Sequence, residues 1–145
     1  MGPQGFGVHI PFVAHLGLAF VHMDGDASEL RLQPQPEHHN SFAVVHGGVL
    51  MTLLDVAMAL AARSQQPDLG AVTVDMTSQF LRPASGPLVA RGRVLHRSAT
   101  LVFTEATVWD AQDRACTHAT GTFKLIRRLP TGGTRTTGLQ TLPTD

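Results

Sequence analysis

The chain has 145 residues, of which 43% are apolar and 15% charged, a balance that suits one globular domain and excludes a disordered chain. Eleven basic residues offset eleven acidic ones, so no electropositive surface of the kind that binds nucleic acid is expected. Cys116 is the single cysteine, which excludes an internal disulfide and fits a reducing cytoplasm, and no apolar run has the length of a membrane span or the layout of a signal peptide.

Residues 1–8 hold three glycines and a proline and are expected to be flexible. Pro11 suits a first helical position, so a short helix is expected within Ile10 to Leu18. Leu16–Met23 and Glu29–Gln33 read as two strands around the turn Asp24-Gly25-Asp26, and Pro34 and Pro36 end the second. A loop carrying Glu37, His38, His39 and Asn40 follows. Two adjacent histidines without a cysteine or a further spaced ligand make a poor zinc pattern, and no metal is expected.

The most informative segment begins at His46-Gly47-Gly48. From Val49 to Ala62 the only polar side chains are Thr52 and Asp55. A helix apolar all round is a buried helix. An ionised carboxylate costs several kcal/mol to bury without partners. Asp55 therefore either faces a cleft or is placed for chemistry; the bland reading is a carboxylate at a solvated helix edge or paired with an arginine such as Arg63. Gly47 and Gly48 stand at the expected helix start, where backbone N–H groups lack intrahelical partners and the dipole favours negative charge. An amide there can hold a carbonyl oxygen as it becomes an oxyanion. Asp55 is eight residues beyond Gly47, roughly 12 Å along the axis, too far for one carbonyl to meet both. A second, antiparallel copy of the helix brings the two together, so a homodimer with two composite sites is expected.

Gln65–Gly70 closes the helix, with Pro67 as breaker. Val72–Leu81 alternates, which puts Val72, Val74 and Met76 on one face and Thr73 and Asp75 on the other. Pro87–Leu95, Thr100–Trp109 and Ala115–Ile126 complete the strands. Short connections favour an antiparallel meander, giving an α+β fold with the sheet wrapped around one long central helix. Residues 129–145 mix breakers with threonines and are expected to form a disordered tail, leaving one domain over residues 9–128.

The spacing of His46-Gly47-Gly48 and Asp55 closely resembles the hotdog-fold acyl-CoA thioesterases, nearest to the branch of the phenylacetate-pathway enzymes and thioesterase superfamily member 2. Asn40 six residues before His46, Val72-Thr73-Val74-Asp75-Met76, Phe80-Leu81-Arg82-Pro83-Ala84 and Gly121-Thr122-Phe123 fit that family in order. The resemblance covers about residues 12–127. It implies hydrolysis of an acyl-CoA thioester, with Asp55 as general base or as nucleophile and Gly47 as oxyanion donor. It also implies that Asn40 positions water or the thioester oxygen and that Thr73 helps hold the attacking water; His46 is a further catalytic candidate, to orient Asn40 or the loop, with structural hydrogen bonding at the helix start as its bland reading. If Val72 and Val74 face the helix, Thr73 points away from it and must reach a site on a partner chain. Gly48 and Met58, with Arg82, Arg97 and Ser98 for the phosphates, are the expected substrate contacts; Arg91 and Arg93 are further phosphate candidates. Coenzyme A is part of the substrate, so no separate cofactor is expected. Relatives pair as dimers of dimers, and a homotetramer is expected. Two other readings use the same fold. One is a non-catalytic acyl-CoA binding or sensing module; the other is an enoyl-CoA hydratase, whose Asp and His are placed differently. The bland readings are that Cys116 is an inert buried thiol and that the arginines are merely solvated. No Gly-x-Ser-x-Gly elbow is present, which disfavours serine hydrolysis.

Overall fold

The computed structural model describes residues 10–127. A short helix α1 (Pro11–Leu16) leads into strands β1 (Ala19–Asp24) and β2 (Ala27–Leu32). A single 3-10 turn (Pro36–His38) and a loop then reach the long helix α2 (Gly47–Arg63). Four strands follow: β3 (Gly70–Phe80), β4 (Leu88–Arg97), β5 (Val102–Trp109) and β6 (Ala115–Ile126). The expected α+β architecture is present, one long helix against a single antiparallel sheet. Among the described residues no helix is long and apolar enough to cross a membrane. The expectations for residues 1–8 and 129–145 lie outside the described residues.

The local signals act as their chemistry predicts. Pro11 opens α1, and Gly17, at φ 75°, closes it in the left-handed conformation. The β1–β2 hairpin turns on Gly25 and Asp26, with φ of 57° and 63°, the paired positive values of a two-residue turn that follows the strand twist.

Strand order departs from the expected meander. β4, β5 and β6 run as one, but the order across the sheet is β1-β2-β4-β5-β6-β3, so β3 crosses to the far edge and pairs with β6. The connection between β3 and β4, Leu81 to Pro87, is short enough to suggest a hairpin. The chain stays with β6 instead: Leu81 and Arg82 give their N–H groups to the carbonyl of Cys116, 2.8 and 3.1 Å away.

Small residues on the inner face of the central strands let α2 settle close. A side chain at Gly92 would place its Cβ 2.5 Å from the carbonyl oxygen of Ala57. The Ser28 hydroxyl donates to that same oxygen at 2.6 Å. Met58 is fully buried and fills the space over Gly121, where an added Cβ would lie 3.1 Å from its Sδ. This corrects the expectation for Met58, which belongs to the core between helix and sheet and not to a substrate contact.

The C-terminal end of α2 is tied down by Arg97. Its guanidinium donates to the carbonyls of Ala62 (3.0 Å) and Ala61 (3.4 Å) and to Asp26 Oδ1 (2.7 Å). A cation there complements the helix dipole and adds a donor for carbonyls of the last turn. The Arg97 guanidinium in turn holds the Asp26 carboxyl below its ordinary value, against the opposing effect of desolvation.

Candidate functional site

α2 is not buried on all sides. Leu50, Leu53, Leu54, Ala57 and Met58 face the sheet, while Gly48, Met51, Thr52, Asp55, Val56 and Ala59 form a stripe that is half-buried or exposed. This stripe is the floor of an open groove of about 850 Å³. One rim is α1, through Ile10 to Val13; the other is β3, through Gly70, Ala71, Thr73 and Met76. Floor residues run from Gly48 to Arg63, roughly 22 Å of helix.

Asp55 lies in this groove, and its partner is Thr73 of the same chain, whose hydroxyl donates to Asp55 Oδ1 at 2.6 Å. The alternation expected for β3 fails here for one physical reason. The pairing with β6 steps from Thr73–Phe123 to Asp75–Thr122, so Val74 is an extra residue, a β-bulge. Ala71 and Thr73 before the bulge therefore share a face with Met76 after it, and Val74 turns outward, 57% exposed. Thr73 needs no partner chain to reach α2. Nor is Arg63 the counter-ion of Asp55: its guanidinium donates to the carbonyls of Leu69 (2.8 Å) and Pro67 (2.6 Å), closing the loop after the helix.

The helix start is built as the glycines suggest. His46 is the N-cap, its Nδ1 accepting the Gly48 N–H at 2.8 Å, and its own N–H donates to the His38 carbonyl at 2.8 Å. That assigns His46 to capping and uses the Gly48 donor. The Gly47 N–H is left with no hydrogen-bond partner among the described residues. The Phe80 ring covers Gly47, with Cε1 3.3 Å from where a Cβ would be. Gly47 opens on a second hollow of about 560 Å³, shared with Asn40, Phe42, Leu50, Phe80 and Arg82.

Asn40 braces its own loop. Its Oδ1 accepts the N–H groups of Phe42 (2.8 Å) and Val44 (3.4 Å), and Ala43 takes a positive φ of 59° in the turn this makes. Its side-chain NH2 is not used in these bonds, and Asn40 lines the same hollow as Gly47. Arg82 donates from Nε to the Ala115 carbonyl at 3.1 Å and is otherwise exposed at the same hollow. The fixed position of this loop owes much to His38, which carried no signal in the sequence. It is buried, its Nδ1 accepts the Gln35 N–H at 2.9 Å, and its Nε2 lies 2.9 Å from the Leu16 carbonyl at the end of α1. One ring thereby joins α1 to the loop that precedes α2.

Apart from the capping His46 and the core Met58, the expected site residues fall into three groups. Asp55, Thr73 and Gly48 lie on the long groove. Gly47, Asn40 and Arg82 lie on the hollow at the helix start. Arg97 and Ser98 lie at the opposite end of α2, where Arg97 is committed to Asp26 and the helix carbonyls. The Ser98 hydroxyl accepts the Leu101 N–H at 3.0 Å within the β4–β5 turn. Arg91 and Arg93 are ion-paired with Glu29 (2.9 Å) and Glu105 (2.6 Å), away from both hollows. The Glu29 carboxyl is held below its ordinary value chiefly by Arg91.

Comparison with known proteins agrees with the fold. Residues 42–117 match the family described as the Thioesterase superfamily. A Halobacterium salinarum protein named as an esterase is 33% identical over 118 residues, covering 72% of this chain and 78% of that protein. Acyl-coenzyme A thioesterase 13 of Pongo abelii is 31% identical over 75 residues, 50% of this chain and 54% of the relative. The structure of the E. coli PaaI protein, from the phenylacetic acid degradation operon, superposes with a TM-score of 0.76 at 26% identity, covering 87% of this chain and 88% of that one. The resemblance first carried by His46-Gly47-Gly48 and Asp55 therefore holds for the sheet and helix as a whole, and the chain belongs to the thioesterase superfamily, as a hydrolase on the hotdog fold.

Proposed function

We infer that the protein hydrolyses an acyl-coenzyme A thioester to a free acid and coenzyme A, and that each site is shared by two copies of the chain. Asp55 and Thr73 of one copy work with Gly47 and Asn40 of the other. The observation that carries the reading is a separation. Within one copy the acid–hydroxyl pair and the unpaired amide open on different hollows, roughly 12 Å apart along α2. Each hollow holds half of what thioester hydrolysis requires. A two-fold axis that sets the helices antiparallel supplies each half with the other. The likeness to an acyl-coenzyme A thioesterase supports the choice of substrate.

In this reading the thioester oxygen sits against the Gly47 N–H and the Asn40 NH2 donors, which stabilise the negative charge that develops on it. Asp55 takes a proton from water as the water oxygen bonds to the carbonyl carbon. The tetrahedral intermediate then collapses, the carbon–sulfur bond breaks, and the proton passes to sulfur, leaving the acid and the thiol. Asp55 can instead attack the carbonyl itself, expelling thiolate and forming a mixed anhydride that water hydrolyses. In either route the Thr73 hydroxyl fixes the carboxylate by its 2.6 Å hydrogen bond. Arg82, at the rim of the Gly47 hollow, is the cation placed for a coenzyme A phosphate. Water and the thioester suffice for both routes, so no cofactor is invoked. Pairs of dimers form a tetramer.

The test is thiol release from a panel of aryl and fatty acyl-CoAs by wild type and Asp55→Asn. The variant should keep its fold by circular dichroism and lose about 10²–10⁴-fold in kcat. Equal turnover by the two proteins refutes the role of Asp55. Single turnover in ¹⁸O-water separates the routes: label recovered in Asp55 marks the anhydride.

A further inference from the structure

The groove holding Asp55 is much longer than a reacting carbonyl needs. Of its 16 lining residues among those described, only Thr52, Asp55, Arg63 and Thr73 have polar side chains. Volume, shape and lining match a site for a small, mostly apolar ligand. The other apolar rim is α1. Its C-terminal end is fixed three times: by the Gly17 cap, by Leu18 N–H to the Val13 carbonyl at 3.3 Å, and by His38 at the Leu16 carbonyl. Val13 is buried in the core. Phe12, one residue earlier, lines the groove yet is 58% exposed, an aromatic ring on a fixed helix with little of its own surface covered.

We propose that α1 is the specificity wall of this groove and that Phe12 is the residue that sets how long an acyl group the enzyme accepts. The proposal rests on the acyl-CoA reading above. The occupant is the hydrocarbon part of the acyl group. Its thioester carbon must sit beside Asp55, and the groove continues from Asp55 past Val56, Ala59 and Leu60 with no side chain able to hydrogen-bond before Arg63. Phe12 lines this same groove with its ring exposed, and shortening that ring adds room at the wall without altering Asp55 or Thr73. Each methylene accommodated or refused changes kcat/KM about tenfold or more in a tight apolar pocket.

The experiment compares kcat/KM for acetyl-, hexanoyl-, decanoyl- and phenylacetyl-CoA in wild type, Phe12→Ala and Phe12→Trp, with the dimer population of each followed by sedimentation. The expected result is a shift of the preferred length in opposite directions. The decanoyl-to-hexanoyl ratio rises at least about fivefold in Phe12→Ala and falls in Phe12→Trp, with Asp55→Asn silent throughout. Wild-type hydrolysis with the same length profile in all three proteins overturns the role of Phe12 and leaves the thioesterase reading standing. The same holds if Phe12→Ala weakens the dimer while its profile is unchanged, which assigns the ring to a second copy of the chain. No hydrolysis of any of the four by wild type overturns both.

Discussion

A composite site makes a prediction that a site within one chain does not. Gly47→Pro removes the amide N–H and nothing else that the mechanism uses, since a first helical position accepts proline. The Phe80 ring, 3.3 Å from the added Cβ, has to give by a few tenths of an ångström. Loss of one oxyanion donor costs about 10²–10³-fold in kcat. Asp55→Asn costs about 10²–10⁴-fold. Each pure variant is thus nearly silent. When the two are co-expressed with different tags and paired at random, half the dimers are hybrids. If Asp55 of one copy serves Gly47 of the other, each hybrid has one site with both lesions and one with none, and turnover recovers to about a quarter of wild type. The control is built from the 2.6 Å bond between Thr73 and Asp55. Those two groups share a chain, so a mixture of Asp55→Asn and Thr73→Val leaves one lesion in every site and recovers nothing beyond its own Thr73→Val background. The assay is thiol release at fixed total protein, on the unfractionated co-expressed mixture. Failure of the Gly47→Pro and Asp55→Asn mixture to exceed its silent parents refutes the shared site.

Two further outcomes follow from the packing. Gly92→Ala pushes a Cβ to 2.5 Å from the Ala57 carbonyl oxygen, so thermal or urea unfolding should show a loss of about 1–3 kcal/mol; an unchanged midpoint contradicts the close approach of β4 and α2. The Asp26 carboxyl is held low by Arg97, so the stabilisation it gives is complete above the ordinary carboxylate range and is lost as pH falls through its folded value. Asp26→Asn should lower Tm at pH 7 and flatten the decline of Tm below about pH 4, and an acid limb as steep as that of wild type refutes the linkage.

Much of the site could be read from residue order alone because its signals are local. His46, Gly47 and Gly48 announce a helix start through backbone geometry that neighbouring residues decide. Asp55 stands out because its surroundings are apolar. The β1–β2 turn is legible for the same reason. What stayed hidden is non-local. A single inserted residue, Val74, reverses which face Thr73 presents, and no composition marks it. The position of β3 at the sheet edge depends on its pairing with β6, more than 30 residues on. Arg97 reads as a free cation until the fold brings Asp26 and the end of α2 to it from opposite directions. Met58 reads as a groove residue until Gly121 is seen to need something to fill its space. His38 reads as half of an uninformative pair until Leu16 and Gln35 arrive on either side of its ring.

The anchoring of α2 through its own main chain, at the Ala57 carbonyl under Gly92 and Ser28, has a consequence for how such an enzyme changes over generations. A rod gripped from behind by its spine does not rely on the side chains along its front to stay in place. Met51, Val56 and Ala59 are therefore free to vary with the molecule being processed, while the grip is not. Lineages descended from a common ancestor can exchange one diet of thioesters for another by rewriting the front, at little risk to folding.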